Sequence, residues 1–199
     1  MNIIWHGHSC FEITGKDGTI VFDPYQANSV PGLNSLKLKA NLVLCSHEHD
    51  DHNARNCVEV APKDFKVTCI ETYHDHHQGS HRGKNTIHIV DFENLKVVHM
   101  GDIGCMMDDV SKLKNCDILM IPIGGYYTID TKEALKYIER IQPRIVIPMH
   151  YHSHEFGYDV LSTNEEFIQQ SSSVTYVDDC LEVNKDTKTQ TVVFKKPRN

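Results

Sequence analysis

Asn41-Leu42-Val43-Leu44-Cys45-Ser46-His47-Glu48-His49-Asp50-Asp51-His52 joins a short apolar run to a dense set of imidazoles and carboxylates. The apolar half reads as a buried strand, and side chains at strand ends in an α/β protein face a cleft. If the chain stays extended past Cys45, alternate residues share a face. His47, His49 and Asp51 then converge on one point, while His52 turns toward a second ion. Imidazole nitrogen and carboxylate oxygen without cysteine suit Zn²⁺ and its first-row neighbours. A solvated polar turn is the competing reading, but the His-x-His-x-Asp-His spacing is rare by chance.

The same strand-then-polar arrangement recurs on both sides. Before it, Asn2–Trp5, Cys10–Thr14 and Thr19–Phe22 read as short strands separated by glycine-containing turns. After it come Val67–Glu71, Thr86–Asp91, Lys96–Met100, Ile118–Ile121 and Arg144–Pro148, the last two apolar enough to be buried on both faces. Cys180–Val183 and Thr191–Phe194 are expected to form a closing hairpin. A helix is expected over Thr131–Ile141, with Asp130 and Glu133 as a capping box, Ala134, Leu135, Ile138 and Ile141 on one stripe, and Pro143 ending it. Ser162-Thr163-Asn164-Glu165 should open a second helix in the same way, and Met106–Lys114 a weaker third.

The 199 residues fit one domain spanning 1–199. Twenty basic against 27 acidic side chains give a net charge of −7, which argues against nucleic acid as the partner. Apolar runs such as Ile118–Ile123 fall far short of the roughly 20 residues that span a bilayer. The N-terminus has no signal-peptide pattern, and seven irregularly spaced cysteines do not form a disulfide framework, so a cytoplasmic location is expected. Histidine is the outlier: fourteen residues, with no tag-like run at either end.

His47-x-His49-x-Asp51-His52 resembles the signature of the metallo-β-lactamase superfamily. Glu71-Thr72-Tyr73-His74-Asp75, Val97-Val98-His99-Met100-Gly101-Asp102 and Ile145-Val146-Ile147-Pro148-Met149-His150 follow in the order that family shows. Trp5-His6-Gly7-His8-Ser9, Phe22-Asp23-Pro24, Arg82-Gly83-Lys84-Asn85 and Pro122-Ile123-Gly124-Gly125-Tyr126-Tyr127-Thr128 are similar to one branch, the small stand-alone hydrolases related to the ascorbate-6-phosphate lactonase. The resemblance runs from Met1 to about His150. It implies a four-layered αββα sandwich with a metal site at one edge between two sheets.

Carried over residue by residue, the resemblance implies two divalent metal ions, Zn²⁺ or else Mn²⁺ or Fe²⁺. His47, His49 and His74 would hold the first, Asp51, His52 and His150 the second, and Asp102 would bridge them. His76, His77 and His81 compete with His74 in the same loop. A bridging hydroxide, oriented by Asp51 as the catalytic residue, would then cleave a small ester, lactone or phosphoester. His8, Arg82, Tyr126 and Tyr127 are candidate contacts to a small-molecule substrate, with Arg82 suited to an anionic one. His6 and His99 read as structural, and a homo-oligomer fits a small enzyme. A metal-dependent nuclease or phosphodiesterase and a non-enzymatic metal sensor are the alternatives; the complete ligand set argues against the sensor.

Overall fold

A computed structural model describes residues 1–198. In chain order the strands are β1 (Asn2–Gly7), β2 (Cys10–Gly15), β3 (Gly18–Phe22), β4 (Leu38–Ala40), β5 (Leu42–Leu44), β6 (Val58–Val60) and β7 (Val67–Tyr73). They continue as β8 (Lys84–Phe92), β9 (Leu95–His99), β10 (Ile118–Pro122), β11 (Ile145–Met149), β12 (Val174–Val177), β13 (Cys180–Glu182) and β14 (Gln190–Phe194). Two α-helices, α1 (Thr131–Ile141) and α2 (Glu165–Gln170), lie in the second half.

One sheet has the order β13-β1-β2-β3-β5 and the other β12-β14-β11-β10-β9-β8-β7; β4 and β6 form a separate ribbon. The sheets face each other across one apolar core. Along β3, Ile20 and Phe22 enter that core while Val21 points the opposite way, into a second cluster with Cys10, Tyr25, Val30, Ala40 and Val58. That is the two-residue period of a strand. Covering both faces of the first sheet explains why its alternation of apolar and polar residues is weak. Trp5 ties the layers together: its ring lies 6.1 Å from Phe194 of the other sheet and 5.4 Å from Phe156. This is the two-sheet sandwich that the sequence resemblance implies.

Strand direction places the site. β1 and β3 are each antiparallel to β2, and β5 is parallel to β3, so all three run the same way. In the second sheet β9, β10 and β11 are parallel, and β7 joins their direction through two antiparallel pairings. The C-terminal ends of β1, β3, β5, β7, β9 and β11 carry His8, Asp23, Ser46 to His52, His74, Asp102 and His150. One rim collects them. The Thr86 N–H donates to the Ser46 carbonyl at 2.8 Å, joining the sheets beneath it.

Helix α1 has the expected boundaries and cap. The Asp130 carboxylate accepts from the Glu133 N–H at 2.9 Å, and Glu133 accepts from the Asp130 N–H at 3.2 Å. Three expectations do not hold. The closing hairpin does not form: β13 pairs with β1, whereas β14 lies between β11 and β12 in the other sheet. Burial decides it, since Thr191–Phe194 is buried throughout, as an interior strand must be, and only Leu181 is buried in β13. Arg144 holds the intervening crossover by donating to the carbonyls of Asn184, Lys185 and Thr187.

Met106–Lys114 is turn rather than helix. Arg140 takes the Met107 and Asp108 carbonyls, and Asp109 accepts from both the Ser111 N–H and its hydroxyl, so the backbone is bonded elsewhere. The second helix starts at Glu165 without a side-chain cap. Ser162 instead serves the loop, donating its N–H to the Gly124 carbonyl and accepting from the His152 N–H. Among the described residues, no helix is long and apolar enough to cross a membrane.

Candidate metal centre

Past Cys45 the chain bends into turns instead of staying extended. Alternation therefore stops applying, and Asp51 does not join His47 and His49. Three overlapping groups have ligand atoms within 4.8 Å of one another: His47, His49 and His74; His8, Asp51, His52 and His150; and His47, His52 and Asp102. Asp102 Oδ2 lies 2.9 Å from His150 Nε2, 3.2 Å from His52 Nε2 and 3.3 Å from His74 Nε2. The carboxylate thus stands between the first two groups. Of the four loop histidines, only His74 is buried; His76, His77 and His81 are exposed.

Hydrogen bonds at the far side of the rings turn Nε2 toward the centre. His52 Nδ1–H donates to Asp23 Oδ2 at 2.8 Å, because a carboxylate can only accept. The Ser46 hydroxyl spends its proton on the same carboxylate at 2.6 Å, so His47 Nδ1–H donates to Ser46 Oγ at 2.9 Å. His74 Nδ1–H donates to the Tyr127 carbonyl at 3.0 Å. His47 Nε2, His52 Nε2 and Asp102 Oδ1 are buried without a hydrogen-bond partner. Buried polar atoms are rarely left so.

The residues fit a metal. A tetrahedral zinc with bonds of about 2.0–2.1 Å separates its ligand atoms by about 3.3–3.4 Å. The His74 and His52 approaches to Asp102 are of that size, at the long end or beyond the usual N–H···O range. Carboxylates oriented behind metal-binding histidines are also the usual outer shell of such centres.

Close backbone approach makes the geometry possible. A Cβ on Gly101, which has φ 56°, would come within 2.3 Å of Asn85 Oδ1 and 2.4 Å of Ser46 Cβ. Asn85 Oδ1 accepts the Asp102 N–H at 2.8 Å, fixing that residue as it leaves β9. His8, Asp23 and His150 all turn off their strands with positive φ, at 52°, 42° and 53°. Such backbone in non-glycine residues costs of order 1–3 kcal/mol and gathers at functional sites.

Electrostatics are strongly coupled. Burial, reinforced by neighbouring imidazoles, lowers the His8 pKa to about 4 and that of His47 to about 3, keeping both rings neutral with free lone pairs. Burial also works against a charged His52, but Asp102 and Asp23 outweigh it and hold its pKa well above the usual value. Asp51, despite burial, stays far below the carboxylate range through His52 and His8.

Two clefts border the centre and meet at Arg82. One of about 390 Å³ is lined by Cys45, His47, His49, Arg82 and Lys84, with exposed His49 on its wall. The other, about 310 Å³, lies among Asp75, Arg82, Tyr126, Tyr127 and Glu133. The Arg82 guanidinium sits 4.4 Å from the Tyr127 ring centroid and 5.8 Å from that of Tyr126, which is two-thirds exposed. Asp75 builds the loop that carries Arg82 by accepting the N–H groups of His77, Gly79, His81 and Arg82. Larger grooves elsewhere on the surface hold no histidine ligands.

His6 lies 3.2 Å from Glu12, and His99 stacks on Phe22 while bonding the Ser9 carbonyl; both are structural. Three contributors carried no role in the sequence reading. Asp23 follows a strand in Phe22-Asp23-Pro24, a position that could have drawn attention. Asn85 is the second residue of β8, paired with Thr72 of β7. Tyr158, whose hydroxyl donates to the Ser29 carbonyl at 2.6 Å and lies 3.3 Å from Asp51 Oδ2, comes from a loop with no motif.

Comparison with known proteins identifies the family. The β-lactamase superfamily domain matches residues 2–150. A metal-dependent hydrolase of Natranaerobius thermophilus is 30% identical over 77% of this chain and 84% of its own. One from Thermoplasma acidophilum is 29% identical over 83% and 88%. A candidate zinc-dependent hydrolase of the metallo-β-lactamase superfamily from Thermotoga maritima superposes with a TM-score of 0.78 at 26% identity, over 97% of each chain. On its domain match, its relatives and its two-sheet architecture, this chain belongs to the metallo-β-lactamase superfamily.

Proposed function

We propose that the chain is a dinuclear metal-dependent hydrolase, with zinc as its resident metal, that cleaves a small anionic ester, lactone or phosphoester. The observation that carries this reading is the pair of ligand groups, His47/His49/His74 and Asp51/His52/His150, drawn together around Asp102, with Nε2 of His52, His74 and His150 turned to its carboxylate. The names of the relatives, metal-dependent and zinc-dependent hydrolases, support the reaction class and the metal.

Bound divalent cations would supply Lewis acidity and lower the pKa of water at this rim. The chain's own residues do the rest. Asp51, ionised throughout the working range, can accept a hydrogen bond from water and orient it. Arg82, stacked on Tyr127, presents guanidinium N–H groups to a phosphate or carboxylate beside His49. The clefts, of about 310 and 390 Å³, suit a metabolite-sized molecule. Seven free cysteines fit a reducing cytoplasm.

The test is hydrolysis of lactones, phosphodiesters and thioesters by metal-loaded and chelator-stripped protein, alongside Asp51→Ala and His52→Ala. Metal-dependent turnover of one small ester class, lost in both variants at unchanged fold, is expected. Turnover retained in Asp51→Ala refutes the proposal. Cleavage confined to nucleic acid points instead to a nuclease, and metal binding without turnover across the panel to a sensor.

A further inference from the structure

His8 is buried, at 1% exposure, yet neither ring nitrogen has a hydrogen-bond partner. A histidine that merely fills a core position normally satisfies at least one. Its Nε2 lies 3.3 Å from Asp51 Oδ2, and its ring centroid is 4.1 Å from that of His150 and 5.1 Å from that of His52. The ligand atoms of these four residues fall within 4.8 Å of one another.

Resting on the dinuclear reading above, we propose that His8 is itself a protein ligand of the second metal, completing a cage of His8, Asp51, His52 and His150. The 3.3 Å contact with Asp51 stands at the long end for an N–H···O bond and matches the spacing between two ligands on one metal ion, about 3.3–3.4 Å, while both ring nitrogens are otherwise unpartnered. The backbone is arranged for it. His8 takes φ 52° after Gly7, and its carbonyl accepts from Trp5 Nε1 at 3.1 Å and from the His150 N–H at 3.4 Å. The same peptide group thus anchors His8 to the core and to its neighbour in the cage.

The experiment is a Zn²⁺ titration of chelator-stripped protein against a competing chromophoric chelator, for wild type, His8→Ala and His8→Gln. Wild type should bind two ions. Both variants should keep the first and lose affinity for the second by at least about tenfold, and the retained first ion reports that they fold. His8→Gln keeps an amide that can still donate to Asp51, so recovery of the second ion in that variant alone would mean a positioning role and overturn the proposal. Two ions bound at wild-type affinity by His8→Ala would overturn it as well. Fewer than two ions in the wild type would instead bring down the dinuclear reading. Should the variants fail to fold, wild type loaded with ¹¹³Cd²⁺ answers directly: a one-bond ¹¹³Cd–¹⁵N coupling to the His8 ring is expected, and its absence contradicts the assignment.

Discussion

Asp23 touches no proposed metal position, yet replacing it with Asn should weaken both. Its fully buried carboxylate accepts the Ser46 N–H at 2.6 Å, the Ser46 hydroxyl at 2.6 Å and His52 Nδ1–H at 2.8 Å. Through Ser46 it fixes the ring of His47, a member of the first group; directly it fixes His52 in the second. Asn has nearly the same shape and tolerates the positive φ of 42° at this position, so the backbone is not further strained. It offers one acceptor oxygen where three donors converge. Either its NH₂ faces His52 Nδ1–H, or the imidazole changes tautomer and places a proton on Nε2, where the metal should bind. Loss of such an outer carboxylate costs about 10–100-fold in metal affinity. The Zn²⁺ titration described for His8 should therefore show both ions weakened in Asp23→Asn, against one in the His8 variants. Wild-type affinity at both positions, with the fold intact, would refute the relay.

Other outcomes follow from the same geometry. Loading each ion to 100 times its dissociation constant should stabilise the fold by about 2.7 kcal/mol, raising Tm by about 5–10 °C; a Tm indifferent to chelator would contradict buried ligation. In metal-free protein the pKa values of His8 and His88, about 4, and of His47, about 3, lie below the ordinary 6.5. The unfolded chain then takes up protons first as pH falls, so the stability these rings contribute is intact above about 6.5 and is lost between there and about 4 for His8 and His88, and about 3 for His47. His52, raised, contributes stability that is fully present below 6.5 and disappears only as pH climbs through its folded value, so it does not offset that loss. Metal-free Tm should drop across pH 6.5 to 4, and a flat profile would argue against neutral buried imidazoles. Arg82→Ala should raise KM for an anionic substrate about 10–100-fold, the worth of a charge-assisted hydrogen bond, with a smaller change in kcat; an effect on kcat alone would remove Arg82 from substrate binding.

Much of this arrangement is legible in the sequence because strand ends write it locally. Ile118–Pro122 and Ile145–Met149 are apolar at every position, and only an interior parallel strand asks for that. Asp130 and Glu133 specify their helix start within four residues. What depends on partners far along the chain is harder to see. Cys180–Glu182 and Gln190–Phe194 both look like strands, but the sheet each joins depends on how many faces are covered. The turn after Cys45 regroups Asp51 with His52, which a strand period could not foresee. His8 and Asp23 acquire their importance from residues 43 or more and 23 or more positions away, respectively, through the contacts with Asp51 and Ser46. Tyr158 reaches Asp51 from 107 residues downstream with no local pattern to mark it.

The central claim is tested most directly by an anomalous difference map at the zinc edge from crystals of metal-loaded protein. Two peaks are predicted, one among His47, His49 and His74 and the other among His8, Asp51, His52 and His150, with Asp102 reaching both. A single peak, or zinc bound only at the exposed histidines His76, His77 and His81, would contradict it.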